Sequence, residues 1–313
     1  MFKHILVPLD GSHLAESALP VAVALSTAFG STVTLIHIIE HNAPQEIHGE
    51  RHLRQEKEAC SYLDTMARQN FPPEIKVLRH VHTEEVKDVA HSIVEHSGEL
   101  SPDLIVMCSH GEGGLRDIVV GSIAQQVIGH GKTPILLIRP QEDHFAPTTS
   151  FHKLMIPLDS DPEHEKALPL AKDLAKSLNA NLHLVMVVYT LGTLPGERAA
   201  ASRLLPATTS LMLDMNESSA QDYLRELAAS FQAEGLSVSW EVQRGDPVPH
   251  IIEAAEQSGS DLIVLATHGK SGMQAFWAGS VAPKVITQTN IPLLLVPVNK
   301  SIAKRQVNVQ KQK

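Results

Sequence analysis

The chain repeats itself, and that constrains its fold more than any other feature. Ile5-Leu6-Val7-Pro8-Leu9-Asp10 returns as Leu154-Met155-Ile156-Pro157-Leu158-Asp159, and Ala18-Leu19-Pro20 returns as Ala167-Leu168-Pro169, both 149 residues further on. Further along, Asp103-Leu104-Ile105-Val106 returns as Asp261-Leu262-Ile263-Val264, His110-Gly111 as His268-Gly269 and Gly121-Ser122 as Gly279-Ser280, all 158 residues on. Matches in the same order at both ends of two segments mark a duplicated unit. The two offsets, 158 against 149, put a net nine extra residues in the middle of the second copy. A total of 313 residues fits two domains of ordinary size. The polar stretch 141–150 reads as a short linker that holds the two copies close. The expected boundaries are 1–141 for copy one and 151–299 for copy two, with 300–313 as a solvated basic tail carrying Lys300, Lys304, Arg305, Lys311 and Lys313.

Within each copy, short apolar runs alternate with longer amphipathic stretches. The runs at 4–9, 32–39, 75–80, 104–108 and 134–138 are mostly rich in Val, Ile and Leu without strict alternation, as strands covered on both faces are. Copy two has the same at 153–158, 181–188, 238–243, 262–266 and 292–296. Helical stretches are expected at 13–29, 50–69 and 84–96, the first closing at Gly30. Such alternation means βαβ units with right-handed crossovers. The expected fold is therefore α/β: two tandem doubly wound, Rossmann-like domains, each with a five-stranded parallel sheet. The extra length of copy two, 189–216, contains Gly192, Pro195, Gly196 and Pro206 and reads as a long loop near the ligand-binding edge, either a lid or a plain surface excursion.

Composition excludes several function classes. A net charge of -9 disfavours nucleic acid as the main partner. Two cysteines, Cys60 and Cys108, are no disulfide framework, which points to a reducing compartment. No apolar run has the length of a signal peptide or a membrane span. The expectation is a cytoplasmic protein with no membrane partner.

The chemistry-bearing motif is a small-residue loop. In copy one, the fourth strand runs into Cys108-Ser109-His110-Gly111, then nine residues, then Gly121-Ser122 opening a helix. Copy two has Ala266-Thr267-His268-Gly269, nine residues, then Gly279-Ser280. Glycine lets a phosphate approach the backbone, and the free N–H groups and dipole of a helix start favour an anion. This frame, together with the Pro-Leu-Asp at the end of the first strand, resembles the nucleotide-binding class of the universal stress protein family, whose pattern is Gly, two residues, Gly, nine residues, Gly, then Ser or Thr. The resemblance runs from residue 2 to about 298.

It implies that Asp10 and Asp159 contact the adenosine part of ATP, with Pro8 and Pro157 beside them, and that Ile38 and Val187 face adenine. It also implies that Gly111, Gly121 and Ser122 hold phosphates in copy one, as Gly269, Gly279 and Ser280 do in copy two, with Ile123 and Val281 offering backbone N–H groups. The implied cofactor is ATP with Mg²⁺, and the implied role is in surviving stress through an unknown protein partner. The first glycine of the pattern is replaced by Cys108 and Ala266. Glu112 follows His110-Gly111 where copy two has Lys270, which favours copy two for phosphate. Asp159 is followed by Ser160-Asp161-Pro162 instead of Gly11-Ser12, and Trp277 precedes Gly279, which favours copy one. Which copy binds stays open on these residues.

Other readings weigh against these. Asp10 and Asp159 could simply form turns or cap helices. His110 and His268 could shape the loop through backbone hydrogen bonds, and neither is assigned as a base. Gly269-Lys270-Ser271 resembles the end of a P-loop, but Val264 stands where that motif needs glycine. Among the 18 histidines, His37/His41 and His48/His52 are spaced i, i+4, and His80/His82 alternate. With no Cys or acidic group at zinc-like spacing, packed or solvated histidines and no metal are expected. With no base or arginine clamp in view, any ATP hydrolysis is expected to be slow. The alternatives are an interaction scaffold that has lost nucleotide binding, its copies packed as an internal pseudo-dimer through their last strands and further paired as a homodimer, or an enzyme of the related adenine-nucleotide hydrolase or ligase kind.

Overall fold

A computed structural model describes residues 1–43, 46–47, 50–109, 120–139, 149–159, 161–162, 164–268 and 281–298. Copy one contains β1 (His4–Pro8), α1 (His13–Glu16), α2 (Leu19–Phe29), β2 (Thr32–Glu40), β3 (Glu46–Ile47), β4 (Glu50–Arg51), α3 (Glu56–Asn70), β5 (Val77–Val86), α4 (Val89–Leu100), β6 (Leu104–Cys108), α5 (Ser122–His130) and β7 (Ile135–Ile138). Copy two contains β8 (Lys153–Leu158), a 3₁₀ turn (His164–Ala167), α6 (Leu168–Leu178), β9 (Asn181–Val188), α7 (Gly196–Leu204), α8 (Pro206–Ala233), β10 (Val238–Arg244), α9 (Pro247–Ser258), β11 (Leu262–His268), α10 (Val281–Gln288) and β12 (Leu293–Val298).

Among the described residues, the strands other than the small β3–β4 hairpin lie in one ten-stranded sheet ordered β10-β9-β8-β11-β12-β7-β6-β1-β2-β5. Each copy supplies five parallel strands with the doubly wound order. The central strands are buried along nearly their whole length, β6 and β7 completely. The outer strands β5 and β10 are largely half-buried or exposed and carry charge at Arg79, Glu84, Glu85, Glu241 and Arg244, which suits edges that must not recruit another strand. The copies join where β7 meets β12 antiparallel, with Leu136 opposite Leu294 and Ile135 opposite Leu295. The hydrophobic core on each face of the sheet includes side chains from both copies. Arg139, just past β7, donates to the carbonyl of Ile286 in the last turn of α10, a helix end where a cation is favoured. Burial pulls the guanidinium down to about 10, still fully charged at neutral pH.

The repeated aspartates before β6 and β11 have a structural role. Asp103 accepts backbone N–H groups of Lys3 and His4 at 2.6 and 3.0 Å. Asp261 does the same for His152 and Lys153 at 2.7 and 3.0 Å. Each carboxylate ties the start of the first strand to the start of the fourth. The ladder above is short: β1 and β6 pair only at Ile5↔Leu104 and Leu6↔Ile105, and β8 and β11 at two matching positions. The strands are thus fastened at their beginnings and part towards their carboxyl ends.

Several expectations need correction. The stretch 13–29 is two helices: Ser17 closes α1, and Pro20 sits at the start of α2, where a missing N–H costs nothing. β5 runs on to Val86, so α4 starts later, capped by Asp88, which accepts from the His91 N–H. The stretch 50–69 begins with β4 and becomes helical only at Glu56. The stretch 189–216 is largely helical, not a long loop: α7 occupies part of it, and Pro206 opens the 28-residue α8. Leu213, Ala220, Leu224, Ala228 and Phe231 form its buried stripe. Leu204, Leu205, Leu211, Met212 and Met215, at the α7–α8 junction and the beginning of α8, are exposed. The expected tail and the linker residues 141–148 lie outside the described residues.

The seam predicts a large packing penalty. Leu294 is 1% exposed at its centre, so Leu294→Ala should cost about 2–5 kcal/mol in urea-induced unfolding. A loss under about 0.5 kcal/mol would mean that the seam is not packed as described.

Candidate functional site

In a doubly wound sheet, ligands bind outside the carboxyl ends of the strands where the order reverses. In copy one that point lies between β1 and β6, where the strands part. A cleft of about 840 Å³ opens there. Pro8, Leu9 and Asp10 line it from β1, Ile36, Ile38 and Glu40 from β2, and Met107 and Cys108 from β6. Gly121, Ser122 and Ile123 contribute from the start of α5, with Val89, Ala90 and Ile93 from α4. The copy-one positions singled out in the sequence, Pro8, Asp10, Ile38, Cys108, Gly121, Ser122 and Ile123, therefore converge on one cavity. His110 and Gly111 lie outside the described residues.

Asp10 forms a turn as well as lining the cleft. Its Oδ1 accepts from the Ser12 N–H at 2.9 Å and the Ser12 hydroxyl at 2.7 Å, and Ser12 in turn caps α1 by accepting from the Ala15 N–H. Gly11 between them has φ +95°, and a Cβ there would sit 2.9 Å from the Leu53 side chain. Only glycine meets both demands. Leu53 and the residues before it thereby close over the end of β1.

At the opposite wall, α5 begins at Gly121 with no side-chain cap. Its first N–H groups have no intrahelical partner, and Gly121, Ser122, Ile123 and Ala124 of this helix start line the cleft. Cys108 is buried, 5% exposed.

Residues that the motif does not include complete the cleft. Lys87 and Asp88 come from the β5–α4 turn, Glu46 and His52 from the segment around the β3–β4 hairpin. His52 is 4% exposed, and its Nδ1 has no hydrogen-bond partner among the described residues. Burial lowers its pKa below 6.5, with His37 adding to the effect while Glu40 and Asp10 oppose it. His37 also lines the cleft, its ring nitrogens 2.8 Å from the Leu9 carbonyl oxygen and 3.2 Å from that of Leu53. The i, i+4 spacing of His37 and His41 makes no clamp, because both belong to the extended β2 region: His41 pairs with Glu85, while His37 faces His52 at 6.5 Å between rings.

Copy two differs at the same place. Asp159 makes the matching turn, accepting from the Asp161 N–H at 3.1 Å, but His164 Nδ1 also lies 2.7 and 2.8 Å from its two carboxylate oxygens. Tyr223 of α8 donates to Glu165 at 3.0 Å, and burial with that carboxylate pushes its phenol well above the usual range. Pro157, Val187, Ala266 and Val281 are half-buried at the corresponding strand ends and helix start. His268 ends β11. Gly269, Lys270, Gly279 and Ser280 lie outside the described residues.

Comparison with known proteins supplies the family. The model of the universal stress protein family matches twice, over residues 1–139 and 150–297. A universal stress protein of Mycolicibacterium smegmatis is 23% identical over 311 residues, covering 93% of this chain and 96% of the relative. Universal stress protein MJ0531 of Methanocaldococcus jannaschii is 30% identical over 148 residues, 47% of this chain and 82% of the relative. Among solved structures, a universal stress protein from Archaeoglobus fulgidus superposes with a TM-score of 0.63 at 17% identity, covering 95% of this chain and 97% of that one. A universal stress protein structure from Pseudomonas aeruginosa gives 0.65 at 15% identity, covering 95% and 94%. These two likenesses support the fold. Among the described residues, no helix is long and apolar enough to cross a membrane.

His52 gives the site a pH signature. Its folded pKa lies below the unfolded 6.5, so the unfolded chain takes up the proton more readily. The stability it contributes is complete above about pH 6.5 and is lost as pH falls through the folded value. Thermal unfolding from pH 7.5 to 5.5 should show a falling midpoint with a shallower slope in His52→Gln. Identical slopes would show that His52 does not report on this environment.

Proposed function

The chain belongs to the universal stress protein family, and from that premise we propose that it binds ATP, or another adenine nucleotide, in the copy-one cleft and serves as a nucleotide-dependent regulator or binding module. The observation that carries this reading is the convergence of Asp10, Ile38, Gly121 and Ser122 on one cavity at the sheet's switch point. A volume of about 840 Å³ falls among small-molecule sites, roughly 300–1,000 Å³. Ile36, Ile38, Ile93 and Met107 offer an apolar wall for a base. The uncapped start of α5 offers N–H groups to phosphate, and the buried Nδ1 of His52 offers a further polar contact.

The lining carries Asp10, Glu40, Glu46 and Asp88 against Lys87. Bare phosphates are disfavoured beside those carboxylates, so the bound form is the Mg²⁺ complex, the ion offsetting phosphate charge. Copy one is preferred because Asp10, Ile38, Gly121 and Ser122 line one described cavity, whereas in copy two His164 lies against both carboxylate oxygens of Asp159. Among the described residues no arginine lines the cleft, and no hydrolytic step is proposed.

Titration calorimetry with ATP and Mg²⁺ should give one site per chain. Asp10→Asn and Gly121→Val should each weaken it about tenfold or more, since each tenfold is 1.4 kcal/mol, with Asp159→Asn unchanged. No heat and no thermal stabilisation at millimolar ATP would overturn the reading.

A second reading, an interaction protein, is favoured by one observation: the exposed Leu204, Leu205, Leu211, Met212 and Met215 in and before α8, which are 59–82% exposed. Several large exposed apolar side chains so close along the chain suit a contact site, here with a second copy of the chain. Sedimentation at micromolar concentration should then show a dimer that Leu211→Gln with Met215→Gln dissociates. A monomeric parent protein would sink this reading.

A further inference from the structure

Behind the α4 wall of the cleft, the outer strand and the helix bring three histidines together. His80 and His82 are two residues apart on β5 and so point to the same face, lying opposite Ile36 and Ile38 of β2. His96 reaches them from α4. The rings of His80 and His96 are 4.8 Å apart and those of His82 and His96 4.9 Å. One ring nitrogen from each falls within 4.8 Å of the other two. The sequence spacing separates the pair from the third ligand by a turn and most of a helix, so only the folded β5–α4 unit shows the group.

From this geometry we propose that His80, His82 and His96 form a binding site for a divalent late-transition ion, zinc being the one it suits best. Three imidazoles with one open position are an established zinc donor set, and tetrahedral coordination at about 2.0–2.1 Å would draw the nitrogens to about 3.4 Å apart. That contraction is within reach of small side-chain rotations.

Three observations prepare the site. His96 Nδ1 lies 2.8 Å from the Ser92 carbonyl oxygen. It donates there, which fixes the tautomer and leaves Nε2 as a lone pair, as ligating histidines require. His80 Nε2 is buried with no hydrogen-bond partner among the described residues, the state of a donor atom awaiting a ligand. The Glu99 carboxylate, one turn beyond His96, supplies negative charge near the three rings. Because β5 is the edge strand and His80 and His82 are half-buried, an ion can enter from solvent.

The duplication provides an internal comparison. By strand register and helix position, copy two has Glu241, Gln243 and Ala254 at these places. Gln243 donates to Glu241 at 3.2 Å, and His183 Nε2 lies 2.9 Å from the same carboxylate. The scaffold is shared, but the triad belongs to copy one alone.

The test is a zinc titration of the full-length, untagged, chelator-stripped protein against a chromophoric competitor. Binding of one equivalent, with a Kd of about 1 µM or tighter, is expected. His80→Asn and His82→Asn should each weaken it about tenfold or more, while His52→Gln leaves it unchanged. Cobalt(II) should give a visible absorption band that both variants lose. Metal-free thermal unfolding of the half-buried His82→Asn variant should match the parent, which separates ligand loss from misfolding. Failure to bind one equivalent at 10 µM free zinc, about ten times the expected Kd, or parent-like affinity in both variants, would overturn the site.

Discussion

Asp103 fastens the beginnings of β1 and β6 through two backbone N–H groups, and the ladder between these strands ends after two residue pairs. The cleft is a consequence of that asymmetry. Strands held at one end and parted at the other leave a gap at their carboxyl ends, and the loops leaving β1 and β6 become its walls. Asp261 imposes the same geometry on copy two. The repeated aspartate thus builds the crevice, while the repeated Asp10 and Asp159 at the other end of the first strand shape its rim.

The antiparallel seam between β7 and β12 gives each copy's last strand a partner, so that no inner strand edge is left open. It fuses two domains into one sheet with a core common to both. Within this common frame the copies have diverged. Copy one spends its β2–β5 connection on a hairpin and on the segment that seats Leu53 on Gly11 and buries His52. Copy two uses the corresponding chain for α7 and the long α8, whose Tyr223 packs beside Glu165 and Asp159. In copy one Asp10 lines the cavity, and in copy two Asp159 is held by His164.

Much of this was legible in the sequence because the signals are local or repeated. Continuous apolar runs such as Leu104–Cys108, short and repeated in the second copy, read as covered strands, and the same order of runs in both copies supports the alternation. Asp10, Gly121 and Ser122 lie at the ends of elements, where position in the motif translates directly into position at the switch point. The misses have a different cause. Helix boundaries turned on single residues, Ser17 and Pro20 in one case and Asp88 in another. The glycines and prolines between 189 and 216 suggested a loop, yet Pro206 serves as a helix start and tertiary burial of Leu224 and Phe231 stabilises α8. His52, Lys87 and His96 belong to no motif. They enter the two candidate sites because the hairpin, the β5–α4 turn and α4 fold against β2, which no spacing along the chain reveals.

The central claim, that the parted strands of copy one form an adenine-nucleotide cleft, is tested most directly by photolabelling with an azido-adenine analogue of ATP in the presence of Mg²⁺, followed by peptide mapping. The account predicts label on β2 around Ile36 and Ile38 and on α4 around Val89 to Ile93, removed by excess ATP. Label confined to copy two, or label that ATP does not displace, would contradict it.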